Sequence, residues 1–304
     1  MRATGYDKST AWPSAFSGVI AAAATPMTSD LAVDLDRVPD YADFLLAKGA
    51  GALMVGGTTG EFLALTEVER NGLVREFIRA VAGRVPVIAH VGHIDRRTAH
   101  RLAEAAAADG ADALAAIVPY FHHAAQGAIE SSLAEIARVA PHLPFFVYHY
   151  PAATGNQLEP ATFARLLETP NVHGIKLSVD SWSDLQLFLG FDRRILAVCG
   201  NDRLMEPFFR AGGRAVVSGN AAALPEVIAE AVRGFAASDS ASRTRAGHLV
   251  EKLVLLTLAG SVDRLKAILA LRGMDIGPSR VRTHVAAEVA PPTSTELKAV
   301  GVEA

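Results

Sequence analysis

The sequence predicts an α/β fold, a (β/α)8 TIM barrel carrying a C-terminal helical extension. Two observations point there. Eight short apolar runs recur through residues 19–217, most of them continuous rather than alternating, as strands covered on both faces require. Between them lie segments long enough for helices, at a cadence of about 30 residues per unit, the rhythm of eight strand–helix repeats.

The runs are 19–24, 52–55, 87–89, 113–118, 145–148, 172–175, 195–198 and 215–217. Helices are expected over 35–47, 67–81, 97–108, 128–140 and 160–167. Thr66-Glu-Val-Glu69 starts the second of these as a capping box: the Thr66 oxygen accepts from the Glu69 N–H while the Glu69 carboxylate reaches back. Strand signals stop after about Gly234. Segments 242–258 and 262–271 are expected as two added helices, followed by a Pro- and Ala-rich tail from about His284. The expected organisation is a barrel domain over 17–235 and a helical extension and tail over 236–304.

Composition narrows the function. The 304 residues carry 29 Lys+Arg against 32 Asp+Glu, a net charge of -3, too small to recruit nucleic acid or a membrane surface through bulk charge. Half of the chain is hydrophobic, which argues against disorder. One cysteine, Cys199, leaves no intrachain disulfide or Cys-built zinc cluster, suits a reducing compartment, and reads as a small buried residue. No run approaches the ~18 apolar residues of a membrane helix. The apolar run 19–24 is short for a signal peptide and lacks a basic segment just before it. A soluble, cytoplasmic protein is expected.

In such barrels the chemistry sits on loops at the C-terminal ends of strands. Lys176 lies there, closing His173-Gly-Ile-Lys176; it is one of only six lysines and the only one between Lys48 and Lys252. A desolvated lysine loses its proton more readily, and a neutral amine can attack a ketone to form a Schiff base. The competing reading is a lysine that reaches solvent or pairs with an acid such as Asp180. After the second run comes Gly56-Gly57-Thr58-Thr59-Gly60-Glu61, whose backbone N–H groups and two hydroxyls suit a carboxylate; it lacks the Gly-Lys-Ser/Thr ending of a phosphate loop. Taken alone it is equally a tight turn. Tyr148 ends the fifth run, where a phenol can move a proton or steady an oxyanion. Its distance from Lys176 is 28 residues, one barrel unit, so the two are expected on neighbouring strands at one height. Ten histidines admit a metal-dependent alternative, with His90 and His93 joined by His122, His123 or His149, although no tight ligand motif is present.

In order, Gly57-Thr58-Thr59-Gly60-Glu61, Tyr148-x-x-Pro151 and Gly174-Ile175-Lys176 resemble the dihydrodipicolinate synthase / N-acetylneuraminate lyase family of Schiff-base aldolases over about residues 17–235. The resemblance implies a cofactor-free, metal-free, pyruvate-dependent lyase that is commonly a homotetramer, a dimer of dimers. It implies that Lys176 forms the imine with pyruvate or another 2-oxo acid, that Tyr148 transfers protons, and that Thr58, Thr59 and Gly57 bind the 2-oxo acid carboxylate. Ser178, Gly200, Asp202, Arg203 and Ser218 fall where the family shapes the second-substrate pocket. The segment Ile88-Ala-His-Val-Gly92 is closer to the neuraminate lyase branch.

Three departures refine the expectation. Synthases of the family carry an arginine two residues after the proline of their tyrosine motif; here that residue is Ala153, which offers no bidentate partner to a carboxylate. A relay tyrosine from the adjoining subunit aligns with Phe121, leaving Tyr120, His122 or water to substitute, or a simpler relay. Neuraminate lyases place an acid where Arg203 stands, which would favour an anionic or carbonyl-bearing distal group. The substrate expected is a 2-oxo-3-deoxy sugar acid, cleaved or formed at C3–C4. The alternatives are a dehydratase using the same lysine, a 4-hydroxy-tetrahydrodipicolinate synthase, and a non-catalytic 2-oxo acid binding protein.

Overall fold

The computed structural model describes residues 16–191, 195–282 and 290–303. Eight parallel strands close into a barrel in sequence order: β1 (Gly18–Ala22), β2 (Ala52–Val55), β3 (Val87–His90), β4 (Ala113–Ile117), β5 (Phe145–His149), β6 (Val172–Leu177), β7 (Leu196–Cys199) and β8 (Ala215–Ser218), with β8 pairing back on β1. The predicted barrel is therefore the observed one, and each strand lies within two residues of its apolar run. Helices α1 (Val38–Ala47), α2 (Glu67–Val81), α3 (Arg96–Asp109) and α4 (Gln126–Val139) follow β1 to β4. Shorter ones, α5 (Pro151–Thr154), α6 (Pro160–Leu166), α7 (Trp182–Gln186) and α8 (Met205–Arg210), flank β5 to β7, and α9 (Pro225–Ala236) follows β8. The predicted capping box is present at Thr66, whose Oγ1 accepts from Glu69 N while the Glu69 carboxylate accepts from Thr66 N at 2.8 Å.

Beyond the barrel come α10 (Ser240–Leu256), α11 (Val262–Leu271) and α12 (Ser294–Lys298). The last lies in the Pro- and Ala-rich tail: a capping box on Thr293 starts a short helix, and Leu297, Val300 and Val302 are buried. The start of that tail, 283–289, lies outside the described residues. Among the described residues no helix is long and apolar enough to cross a membrane.

Strand alternation sorts the side chains into two cores. Phe145, Val147, Ile175 and Leu177 join the larger layer between sheet and helices, while Ile20, Met54, Ile88, Phe146 and Tyr148 fill the barrel itself. Gly174 makes that filling possible, because a Cβ there would stand 2.3 Å from the Phe146 ring. Residues 146, 148, 174 and 176 thus share the inward face of β5 and β6.

Candidate active site

Tyr148 and Lys176 are direct partners in the β5–β6 register. Both are buried, and the Lys176 Nζ lies 4.0 Å from the centre of the Tyr148 ring and 3.8 Å from Met54 Sδ. Burial pulls the Lys176 ammonium down to about 7, and the Asp202 carboxylate only partly offsets it. Near neutrality, then, a large fraction of this amine is free to act as a nucleophile. Burial pushes the Tyr148 phenol up, against opposing hydrogen bonds from Thr58 and Ser178, so it stands as a protonated donor.

The loop after β2 brings Thr58 Oγ1 to 3.3 Å from the Tyr148 hydroxyl. That loop is pinned from below: His90 Nδ1 bonds Gly56 O at 2.9 Å, and Thr25 Oγ1 donates to Gly60 O at 2.6 Å. Thr58 and Thr59 open into a cavity of about 310 Å³ at the C-terminal end of the barrel, together with Tyr148, Lys176, Ser178, Gly200, Asp202 and Arg203. Eight of the ten residues singled out in the sequence therefore share one wall-to-wall site. Gly57 and Ser218 do not line it. Ser218, fully buried, donates to Asp202 Oδ2 at 2.8 Å and so acts from behind that carboxylate.

Asp202 also accepts from Asn220 Nδ2 at 2.7 Å. Burial raises its carboxyl, opposed by these two bonds and by the charge of Lys176. Gly200 is required by close approach, since a Cβ there would stand 2.3 Å from Ser178 Oγ and 3.2 Å from Lys176 Cε. At the mouth Arg203 Nε reaches Glu251 of α10 at 3.3 Å, both side chains about half exposed. Its charge is thus shared with an acid rather than presented alone.

Other lining residues escaped the sequence reading: Tyr150, Asn201 and Asn220 from barrel loops, and Val254 and Ala259 from the extension. Tyr150 stacks on Tyr148 with ring centres 6.1 Å apart and adds a second phenol. Its signal was its place one residue before Pro151; nothing local in the sequence reports the approach of 254–260. Phe121, Tyr120 and His122 lie off this cavity. Phe121 is 83% exposed with φ 71°, and the Tyr120 hydroxyl accepts from Ile94 N.

The histidines do not converge. His90 is buried between Gly56 O and Ile117 N; burial and the neighbouring Arg70 hold its ring well below the usual imidazole range. His93 accepts from Asp95 N, and His149 points out of the barrel against Phe188. Among the described residues, no three His, Cys, Asp or Glu side chains are grouped to hold a metal ion.

Residues 15–297 match the Dihydrodipicolinate synthetase family. A 4-hydroxy-tetrahydrodipicolinate synthase of Streptomyces coelicolor is 34% identical over 278 residues, 87% of each chain. The crystal structure of a dihydrodipicolinate synthase from Bacillus anthracis superposes with a TM-score of 0.82 at 26% identity, covering 94% of this chain and 96% of that one. A sialic acid aldolase from Ruminococcus gnavus shares the fold, with a TM-score of 0.84 at 23% identity over 94% of this chain and 95% of its own. By sequence and by fold, this chain belongs to the dihydrodipicolinate synthetase family and is an enzyme of its Schiff-base aldolase and lyase class.

Proposed function

We propose that this enzyme forms an imine between Lys176 and pyruvate or a longer 2-oxo acid, and makes or breaks the C3–C4 bond of a 2-oxo-3-deoxy sugar acid. The observation that carries the reading is the buried Lys176 amine, lowered to about 7, facing Tyr148 and Thr58 in one cavity. In the cleavage direction the neutral amine adds to the C2 ketone, and water leaves to give the iminium. A base takes the proton of the C4 hydroxyl, the C3–C4 bond breaks, and its electron pair moves into the iminium to give an enamine and a free aldehyde. Protonation at C3 and hydrolysis then release pyruvate and the amine. Tyr148 is the proton carrier at the imine. Thr58 and Thr59, with the backbone beside Gly57, orient the carboxylate.

Ser178, Gly200, Asp202 and Arg203 shape the distal pocket, with Ser218 supporting Asp202. A hydroxyl-rich distal group suits this lining, which offers Asp180, Asn201 and Asp202 as acceptors or donors and an arginine already paired with Glu251. The second reading, a 4-hydroxy-tetrahydrodipicolinate synthase, is favoured by the name of the Streptomyces coelicolor relative. Against it stands Ala153, exposed and off the cavity, where those enzymes use an arginine. A homotetramer, which rests on the family resemblance, and a cytoplasmic location, which the lone buried Cys199 supports, complete the reading.

Borohydride reduction in the presence of pyruvate, followed by peptide mass spectrometry, tests the mechanism: an adduct on Lys176 is expected, and none with any 2-oxo acid would sink it. Turnover across a panel of 2-oxo-3-deoxy sugar acids, sialic acid and a carboxylate-bearing aldehyde plus pyruvate separates the readings. Condensation of the aldehyde without cleavage of any sugar acid would favour the synthase.

A further inference from the structure

A buried ion pair joins the loop that carries Thr58 and Thr59 to the C-terminal extension. Glu61 ends that loop in left-handed geometry, φ 58°, and its side chain is fully enclosed. One carboxylate oxygen lies 2.9 Å from Lys266 Nζ of α11, itself 4% exposed. The other accepts from the backbone N–H groups of Arg280 at 2.7 Å and Val281 at 2.9 Å. Lys266 Nζ also donates to Pro278 O at 2.7 Å, so the pair and the segment 278–281 lock each other.

The same segment is stitched to both sides of the loop. Arg280 bonds Ala64 O and the Glu69 carboxylate on one side, and Leu31 O on the other. Ile276 O accepts from Met27 N at 2.9 Å. Removing two charges from water is costly, and a well-packed apolar pair would serve stability as well. What an apolar pair would not do is dictate where the Glu61 backbone stands. Glu61 N donates to Thr58 O at 3.0 Å, so its position is passed directly to the first hydroxyl of the site.

We propose that Glu61 and Lys266 are positioning residues for the 2-oxo acid: the pair, clamped by 278–281, holds Thr58 and Thr59 at the carboxylate, and the extension thereby sets the affinity of the site. The inference rests on the imine reading of Lys176. Its test is borohydride trapping of pyruvate on the full-length enzyme, read as the half-saturating pyruvate and as the pH midpoint of trapping. E61Q/K266M removes both charges together, so neither is left orphaned. R280A loosens the clamp through a partly exposed side chain and serves where the double variant does not fold. The half-saturating pyruvate should rise about tenfold in E61Q/K266M and about threefold in R280A. The adduct at saturation and the pH midpoint should stay at wild-type values, since the pair acts through the loop and not on the amine. An unchanged half-saturation in the folded variant overturns the inference, as does a moved pH midpoint, which would place the effect on Lys176. Absence of any adduct in the wild-type enzyme overturns the imine reading and this inference with it; a wild-type adduct with unmoved affinity in the variants overturns this inference alone.

Discussion

Lys176 and Tyr148 stand opposite one another across β5 and β6, with the lysine amine 4.0 Å from the centre of the tyrosine ring. A π-face attracts the ammonium form, yet desolvation at this depth outweighs it and brings the group to about 7. Imine trapping should therefore rise steeply between pH 6 and 8, about tenfold per unit below the midpoint, rather than climbing to the ordinary lysine value. Asp202 holds the ammonium up, so Asp202→Asn should move that midpoint to lower pH. A pH series of borohydride trapping measures both; a midpoint near that of a free lysine, or an upward move in the variant, would contradict the electrostatic account.

The Thr58–Tyr148 hydroxyl contact makes a second prediction. Tyr148→Phe should lower turnover about 100-fold, the scale of a lost proton-transfer group, and leave the Lys176 adduct detectable. Thr58→Val should act in the same direction and also raise the pyruvate requirement. Steady-state kinetics beside trapping distinguishes the two, and near-wild-type turnover in Tyr148→Phe would remove the phenol from the proton path.

Gly200 tests close packing at the amine. An alanine methyl would collide with Ser178 Oγ and crowd Lys176 Cε. Gly200→Ala should cost about 1–3 kcal/mol of stability, the range for overpacking, and cut adduct formation. Gly127→Ala, on α4 with open space where an added Cβ would stand, is the control and should do neither. Thermal unfolding and trapping read the pair; a Gly200→Ala enzyme equal to the control would show that the wall yields freely.

His149 predicts an acid-sensitive fold. It is fully buried, neither ring nitrogen has a hydrogen-bond partner among the described residues, and burial lowers it to about 4, with the Asp184 charge opposing. The unfolded chain takes up a proton near 6.5 while the folded one does not, so stability falls as pH drops from about 6.5 to about 4 and this contribution then levels off. His149→Phe should abolish that component and add about 1 kcal/mol at pH 7.5 by removing unsatisfied polar atoms. Denaturant unfolding at a series of pH values checks it. Parallel profiles for the two proteins would assign the acid loss elsewhere.

Local pattern carried the architecture and the centre of the site. Continuous apolar runs and their cadence are properties of neighbouring residues, and they set Tyr148 and Lys176 on adjacent strands at one height, as the β5–β6 register has them. Only closure of the barrel and the course of its loops decided what surrounds them. Asp202 faces the amine because β7 and β8 bring it against Ser218 and Asn220, and Tyr150 joins because the chain turns at Pro151. Glu251 meets Arg203, and Lys266 meets Glu61, across separations that no periodicity reports. The sequence by itself determined the barrel and singled out the lysine, tyrosine and threonines, since apolar continuity and the length of each strand–helix unit are set locally along the chain. The tertiary structure decided the amine's charge state, the distal lining and the clamp from the extension, because desolvation and buried ion pairs exist only once distant segments pack together.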